Sequence, residues 1–213
     1  MNSEDKMIYI CDDLNSYSDE LYEEHLRSVV PAWRKAAVSS YRSVEHRKQS
    51  VLAIALLSLG LRREYNVSSV PEFQFNEYGK PSFAKLPVCF SLSHCARAVV
   101  CAVSERNVGI DAERVVPYDA RIARRVCNAA ELAGLETSAA PDVLFSRYWT
   151  TKEAISKFEG LGLGMDFRTI TPASYATFCC HHPDKGYTVS VCCGKRGTAT
   201  APPPVQYVSP RAL

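Results

Sequence analysis

Two short stretches of this sequence set acids and a base at spacings that could do chemistry. In the first, Trp149-Thr150-Thr151-Lys152-Glu153-Ala154-Ile155-Ser156-Lys157-Phe158-Glu159-Gly160, the acid Glu153 and the base Lys157 lie one helical turn apart. A helix puts both on one face. Ala154, Ile155, Phe158 and Leu161 make an apolar stripe beside them. Gly160 suits the left-handed position that closes a helix. A carboxylate and an ammonium on one rigid element, at the mouth of the loop Gly160-Leu161-Gly162-Leu163-Gly164, can hold a cation and a phosphate together. Taken alone, the same spacing also describes a surface ion pair worth roughly 0.2–0.5 kcal/mol.

The second stretch, Val108-Gly109-Ile110-Asp111-Ala112-Glu113-Arg114, reads as a strand. Its period of two sends Asp111 and Glu113 to one face and Ile110 and Ala112 to the other. Neighbouring carboxylates repel unless a cation lies between them or one is protonated. Glu153 would complete an all-oxygen set. Hard oxygen donors without His or Cys favour magnesium, which shares its shell with water and substrate phosphates. The alternative for the pair is an edge strand that turns charge toward water.

The elements that must position these groups are legible in order. Residues 7–11 form a first strand, ended by Asp12-Asp13. A helix is expected from about 18 to 30, where Pro31 stops it, and another from about 44 through 61. Arg42, Arg47 and Lys48 stand at the start of that second helix. Positive charge is disfavoured there by the helix dipole, but suits an anion held by free backbone N–H groups. A solvated first turn is the other reading. Asn76-Glu77-Tyr78-Gly79-Lys80-Pro81 is turn chemistry. Residues 88–93 read as a strand ending at His94, before a tight turn where binding residues collect. Residues 99–103 and 108–113 are expected to pair as a hairpin across Ser104-Glu105-Arg106-Asn107, bringing the acids beside His94.

Residues 119–137 look helical, with Arg121, Arg124 and Arg125 exposed. A linker over 137–142 then leads to Pro141, which suits the first turn of a long helix reaching Glu159. With that start, Thr150-x-x-Glu153 falls mid-helix and is no capping box, so Glu153 stays free. Residues 175–180 and 187–193 form a second hairpin, and the tail with Pro202-Pro203-Pro204 is expected to wrap the surface. The order implies an α+β fold with two comparable halves, 1–114 and 115–213.

Composition narrows the class. Of 213 residues, 46% are hydrophobic and 23% charged, which suits a globular chain with a sizeable core. A net charge of +2 is too mild to argue for nucleic acid as a main partner. Residues 1–6 carry no apolar signal-peptide core. The apolar run over 51–61 is too short to span a bilayer. Nine cysteines, an odd number without a CxxC pair, suit reduced thiols in a cytoplasm. Cys179-Cys180-His181-His182 and Cys192-Cys193 look like zinc ligands, but adjacent strand residues point to opposite faces, so small core thiols are the simpler reading.

Gly109-Ile110-Asp111-Ala112-Glu113, then Trp149-Thr150-Thr151-Lys152-Glu153 and the glycine loop, preceded by Tyr78-Gly79-Lys80-Pro81 and Phe90-Ser91-Leu92-Ser93-His94, resemble the motifs of the surfactin-type 4′-phosphopantetheinyl transferases. One departure is Leu161, where the family often has Lys. The resemblance implies two similar halves, each a small antiparallel sheet with helices, related by a pseudo-twofold axis with the active site at their interface. It implies transfer of 4′-phosphopantetheine from coenzyme A to a serine of an acyl or peptidyl carrier protein by a monomer, without membrane or nucleic acid. Magnesium would sit at Asp111, Glu113 and Glu153. Arg47, Lys48, Tyr78, Gly79, Lys80, Pro81, Ser93, His94 and Lys157 would bind coenzyme A. Glu153, Lys157, His94 and Glu131 would carry the chemistry, Glu131 as an alternative base to Glu153. A binding module without catalysis is the rival, and the intact acid trio speaks against it.

Overall fold

The computed structural model describes residues 6–199 and 201–213. Residues 1–5, part of the stretch read for an export signal, lie outside the described residues. The chain is α+β. β1 (Lys6–Cys11), β4 (Cys89–His94), β5 (Val99–Ser104) and β9 (Val205–Tyr207) form one sheet in the order β4-β5-β1-β9. β6 (Gly109–Arg114), β7 (Tyr175–His182) and β8 (Tyr187–Lys195) form a second, ordered β6-β8-β7. β2 (Phe73–Phe75) and β3 (Pro81–Phe83) make a small separate hairpin.

Two long helices cover the sheets from outside. α3 (Val44–Tyr65) is capped by Ser43, whose hydroxyl accepts from the His46 N–H, and ends on Asn66 in the left-handed region. It is buried from Ser50 to Leu61. Leu52, Leu56 and Leu59 pack against Tyr9, Cys101 and Val103 on the outer face of the first sheet. The alternate residues of the same strands, Ile8, Ile10, Val100 and Ala102, meet Ile110, Ala112, Val189 and Val191 of the second sheet. The outer face of the second sheet receives α6 (Pro141–Glu159), with Ala154 and Ile155 in a core that includes Cys192. The layers are therefore helix, sheet, sheet, helix, and strand periodicity sorts Asp111 and Glu113 toward α6 while Ile110 and Ala112 face the other sheet.

One expected pairing is overturned. Strands β5 and β6 are not a hairpin. Both edges of β5 are already taken, by β1 and by β4, so the chain must leave that sheet, and β6 pairs with β8 instead. The acids still arrive beside β4 by another route. Ser91 Oγ of β4 accepts from the Ile110 N–H at 3.0 Å, and Ser93 Oγ donates to Asp111 Oδ1 at 2.8 Å.

The proline-rich tail also does more than wrap the surface, because β9 adds to β1 in parallel. That pair makes the first sheet mixed rather than antiparallel throughout. A boundary at 114 is crossed twice by the sheets, by β6 going forward and by β9 coming back.

Three smaller differences have local causes. Pro31 begins a further helix, α2 (Ala32–Ser40), after ending α1 (Asp19–Ser28). The helical stretch over 119–137 is two helices, α4 (Ala120–Val126) and α5 (Ala129–Thr137). Asn128 splits them, because its side chain opens a capping box with Glu131. Finally, α3 runs one turn past Leu61 before its left-handed cap. Among the described residues no helix is long and apolar enough to cross a membrane.

Candidate active site

The centre lies where β4, β6 and α6 meet. Close approach is possible because residue 109 is glycine. A Cβ there would stand 2.1 Å from the Ala154 carbonyl oxygen and 2.4 Å from the Phe158 nitrogen, so any side chain would push α6 off β6. With the helix seated, Lys157 Nζ lies 2.6 Å from Asp111 Oδ1 and 2.9 Å from Ser93 Oγ. The Asp111 side chain is 6% exposed and that of Lys157 29%.

Asp111 Oδ2 is buried and has no hydrogen-bond partner. Burial, then Asp111 and Glu153 nearby, pushes the Glu113 carboxyl up to about 7, with Lys157 pulling the other way. Burial and Asp111 raise Glu153 as well. Three carboxylates thus share one ammonium, and the balance of charge is short of cations.

Among the described residues no group of three or more acids, histidines or cysteines is gathered closely enough to hold a metal. The expected trio is therefore brought into one electrostatic neighbourhood, not closed into a cage. The donor set nevertheless fits magnesium: it is all oxygen, and the unpartnered Asp111 Oδ2 is a lone acceptor that a cation would satisfy.

His94, at the end of β4, faces a cavity of about 500 Å³ lined by Tyr17, Ser43, His46, Lys48, Gln49 and Cys95 among others. Its ring lies 6.1 Å from that of His46. The surrounding walls, then His46 and Lys157, hold its pKa below the usual value, so the ring tends to be neutral. Lys48 belongs to the cavity but is paired with Asp19 at 2.6 Å, and it also donates to the Tyr17 carbonyl at 3.4 Å. Arg47 donates to the Tyr41 carbonyl at 3.3 Å.

A second, smaller hollow of about 210 Å³ lies between the turn Tyr78-Gly79-Lys80-Pro81 and the glycine loop, with Lys157 on its wall. Gly79 has φ of 85°, as this turn requires. Lys80, expected to contact coenzyme A, has its ammonium engaged within the protein. Its Nζ donates to Asn107 Oδ1 at 2.5 Å and to the Phe158 carbonyl at 3.0 Å.

Glu131 is placed elsewhere. Its Oε2 accepts from the Asn128 N–H at 2.8 Å and from Lys152 Nζ at 2.5 Å. Lys152 is fully buried and also donates to the Val126 carbonyl. Glu131 therefore neutralises a buried lysine and caps α5, and is not among the groups around Asp111. The paired cysteines of β8 part as strand geometry requires, Cys192 toward α6 and Cys193 between the sheets.

Residues that motif reading passed over also converge here. Asn76 Nδ2 donates to the Gly160 carbonyl at 2.7 Å. Asn107 Nδ2 donates to the Phe158 carbonyl at 2.5 Å. Gln49 Nε2 donates to the Cys95 carbonyl at 3.0 Å beside His94. Asn76 was visible as a turn residue, while nothing local marks Asn107 or Gln49.

An acid cluster with one ammonium, set beside two hollows at the seam of two sheet-and-helix layers, suits an enzyme that handles a charged phosphate ester. Comparison with known proteins narrows the class. A family model described as the 4′-phosphopantetheinyl transferase superfamily matches residues 107–200. The chain is 30% identical to the 4′-phosphopantetheinyl transferase Sfp of Bacillus subtilis (strain 168) over 152 residues, which is 70% of this chain and 67% of that one. It is 33% identical to the 4′-phosphopantetheinyl transferase gsp of Aneurinibacillus migulanus over 141 residues, 65% of this chain and 59% of that one. Over 100 residues it is 38% identical to the 4′-phosphopantetheinyl transferase AcpT of Salmonella typhimurium (strain LT2), covering 44% and 52%. The chain belongs to the surfactin-type 4′-phosphopantetheinyl transferases, a family of enzymes. Its alignments to these three span 52 to 67% of the relatives' own lengths.

Proposed function

We propose that this chain transfers the 4′-phosphopantetheine arm of coenzyme A to a serine of an acyl or peptidyl carrier protein, releasing 3′,5′-adenosine bisphosphate. The observation that carries the reading is the ammonium of Lys157 held at 2.6 Å from Asp111 among raised carboxyls. Such a constellation is arranged for a substrate that brings both negative charge and a cation.

In the transfer, the serine oxygen bonds to the phosphorus bearing the pantetheine arm, and the bond from that phosphorus to the bridging oxygen of the pyrophosphate breaks, that oxygen leaving with 3′,5′-adenosine bisphosphate. Positioning and charge neutralisation supply most of the catalysis in such reactions. Magnesium held by Asp111, Glu113 and Glu153 would neutralise pyrophosphate charge. Lys157 offers its ammonium to a phosphate oxygen as charge shifts toward the leaving group. Glu153 takes the serine proton, a role suited to a carboxyl whose pKa is raised. His94 donates a hydrogen bond toward the pyrophosphate from the wall of the larger cavity. Arg47 and Lys48, at the start of α3, meet the 3′-phosphate, and the 78–81 turn lines the nucleotide hollow. Glu131 acts only through its buried pair with Lys152.

The two layers of helix on sheet support a pseudo-twofold arrangement with the site at the seam. Ser93 and His94 come from one layer, and Asp111, Glu153 and Lys157 from the other. All are supplied by one chain, which supports action as a monomer. Nine cysteines, an odd number without a CxxC pair, suit a reducing cytoplasm. The test is intact-mass analysis of an apo carrier protein incubated with this protein, coenzyme A and magnesium. A gain of one phosphopantetheine mass on serine is the expected result. Binding of coenzyme A without that gain would favour the non-catalytic module.

A further inference from the structure

The C-terminal end of α6 is held by three side chains from two connecting segments, Asn76 and Lys80 in the turn between β2 and β3 and Asn107 in the loop between β5 and β6. A helix ends with carbonyls that lack intrahelical partners and with the negative pole of its dipole. Here the Phe158 carbonyl accepts from both Lys80 Nζ (3.0 Å) and Asn107 Nδ2 (2.5 Å), and the Gly160 carbonyl accepts from Asn76 Nδ2 (2.7 Å). Lys80 and Asn107 are joined to each other at 2.5 Å. Asn76 in turn builds its own turn, since its Oδ1 accepts from the N–H groups of Tyr78 and Lys80 at 3.0 and 2.8 Å.

The packing is close as well as polar. A Cβ on Gly160 would stand 3.1 Å from both Asn76 Nδ2 and Lys80 Cδ, and Gly160 has φ of +76°. Lys157, the residue before Phe158, is the group this end of the helix presents to Ser93 and Asp111.

We propose that Lys80, with Asn76 and Asn107, is a positioning residue: it latches the last turn of α6 to the β2–β3 turn and the β5–β6 loop and so fixes Lys157 at the reacting phosphate. The ammonium of Lys80 is spent on the helix end, where a cation is favoured, and does not bind the nucleotide. Burial lowers its pKa, and its carbonyl and amide partners hold it in place. A loosened latch leaves the acids and the larger cavity beside His94 intact while Lys157 loses its aim. Misplacement of a catalytic group by about 1 Å can cost on the order of a hundredfold in rate.

This inference rests on the transferase reading for its kinetic arm only. Lys80→Met, Lys80→Arg and Asn107→Ala are compared with the parental full-length chain in two measurements. In steady-state transfer to an apo carrier protein, Lys80→Met and Asn107→Ala lower kcat about tenfold or more, with KM for coenzyme A within about twofold. Lys80→Arg, which keeps the charge and donors, recovers most of the rate. A raised KM with unchanged kcat would make Lys80 a nucleotide contact and overturn the latch. In amide hydrogen exchange without substrates, Lys80→Met speeds exchange over residues 156–160 and leaves the first turns of α6 unchanged. Parental exchange at that end overturns the latch even if the parental chain transfers nothing, which would separately sink the transferase reading.

Discussion

Asp111 gives one carboxylate oxygen to Lys157 and leaves the other buried without a partner. That division makes Lys157 the counter-ion of an unfinished site. An acid with one satisfied and one orphaned oxygen is poised for a second cation.

Magnesium should therefore change the protein measurably without any substrate. Titration calorimetry of the parental chain with magnesium is expected to show binding, and Asp111→Asn, which keeps the shape but not the charge, should abolish it. Transfer should stop with a chelator and return with magnesium. Parental binding by a folded Asp111→Asn would move the metal away from this residue.

Lys157→Met keeps most of the apolar stem and removes the ammonium. Turnover should fall on the order of a hundredfold or more, with coenzyme A binding only modestly weaker and melting near that of the parent. Single-turnover transfer paired with thermal melting reads both. A parental rate would return Lys157 to the class of ordinary ion pairs.

Stability of the metal-free protein should depend on Glu113. Its carboxyl rises from the ordinary 4.5 to about 7 in the folded chain. Between those values the folded state binds the proton that the unfolded state has released. The contribution is fully present below about 4.5 and is lost as pH rises through about 7. With chelator present, the melting temperature should drop by roughly a few degrees across that window, and Glu113→Gln should flatten the drop. Identical slopes for parent and variant would show that Glu113 carries no such proton.

The pair between Lys48 and Asp19 at 2.6 Å implies competition in the larger cavity. Lys48→Ala should weaken coenzyme A more than dephospho-coenzyme A, because only the former brings a 3′-phosphate. Asp19→Asn frees the lysine and should tighten coenzyme A by a few-fold at low salt, the scale of an exposed pair. Equal losses for the two ligands in calorimetry would take Lys48 out of the phosphate pocket.

The residue types and local spacing of Asp111, Glu113, Glu153 and Lys157 were enough to show the acids, the base and the helix that carries two of them. The cap at Gly160, the start at Pro141 and the inward and outward faces of β6 follow from rules that act over a few residues. Pairing of β6 was decided otherwise. A hairpin with β5 is locally allowed, yet β1 and β4 already fill both edges of β5, and competition for strand edges is settled only once the whole sheet exists. Glu131 shows the same limit: its family position suggested a base, but the buried ammonium of Lys152 claims it. The resemblance makes Lys80 a coenzyme A contact, yet its ammonium is held at a helix end 78 residues away in sequence. Side-chain types declare what a group can do. Which partner takes it depends on neighbours brought together by folding, because hydrogen bonds and charges act through space and burial sets their strength.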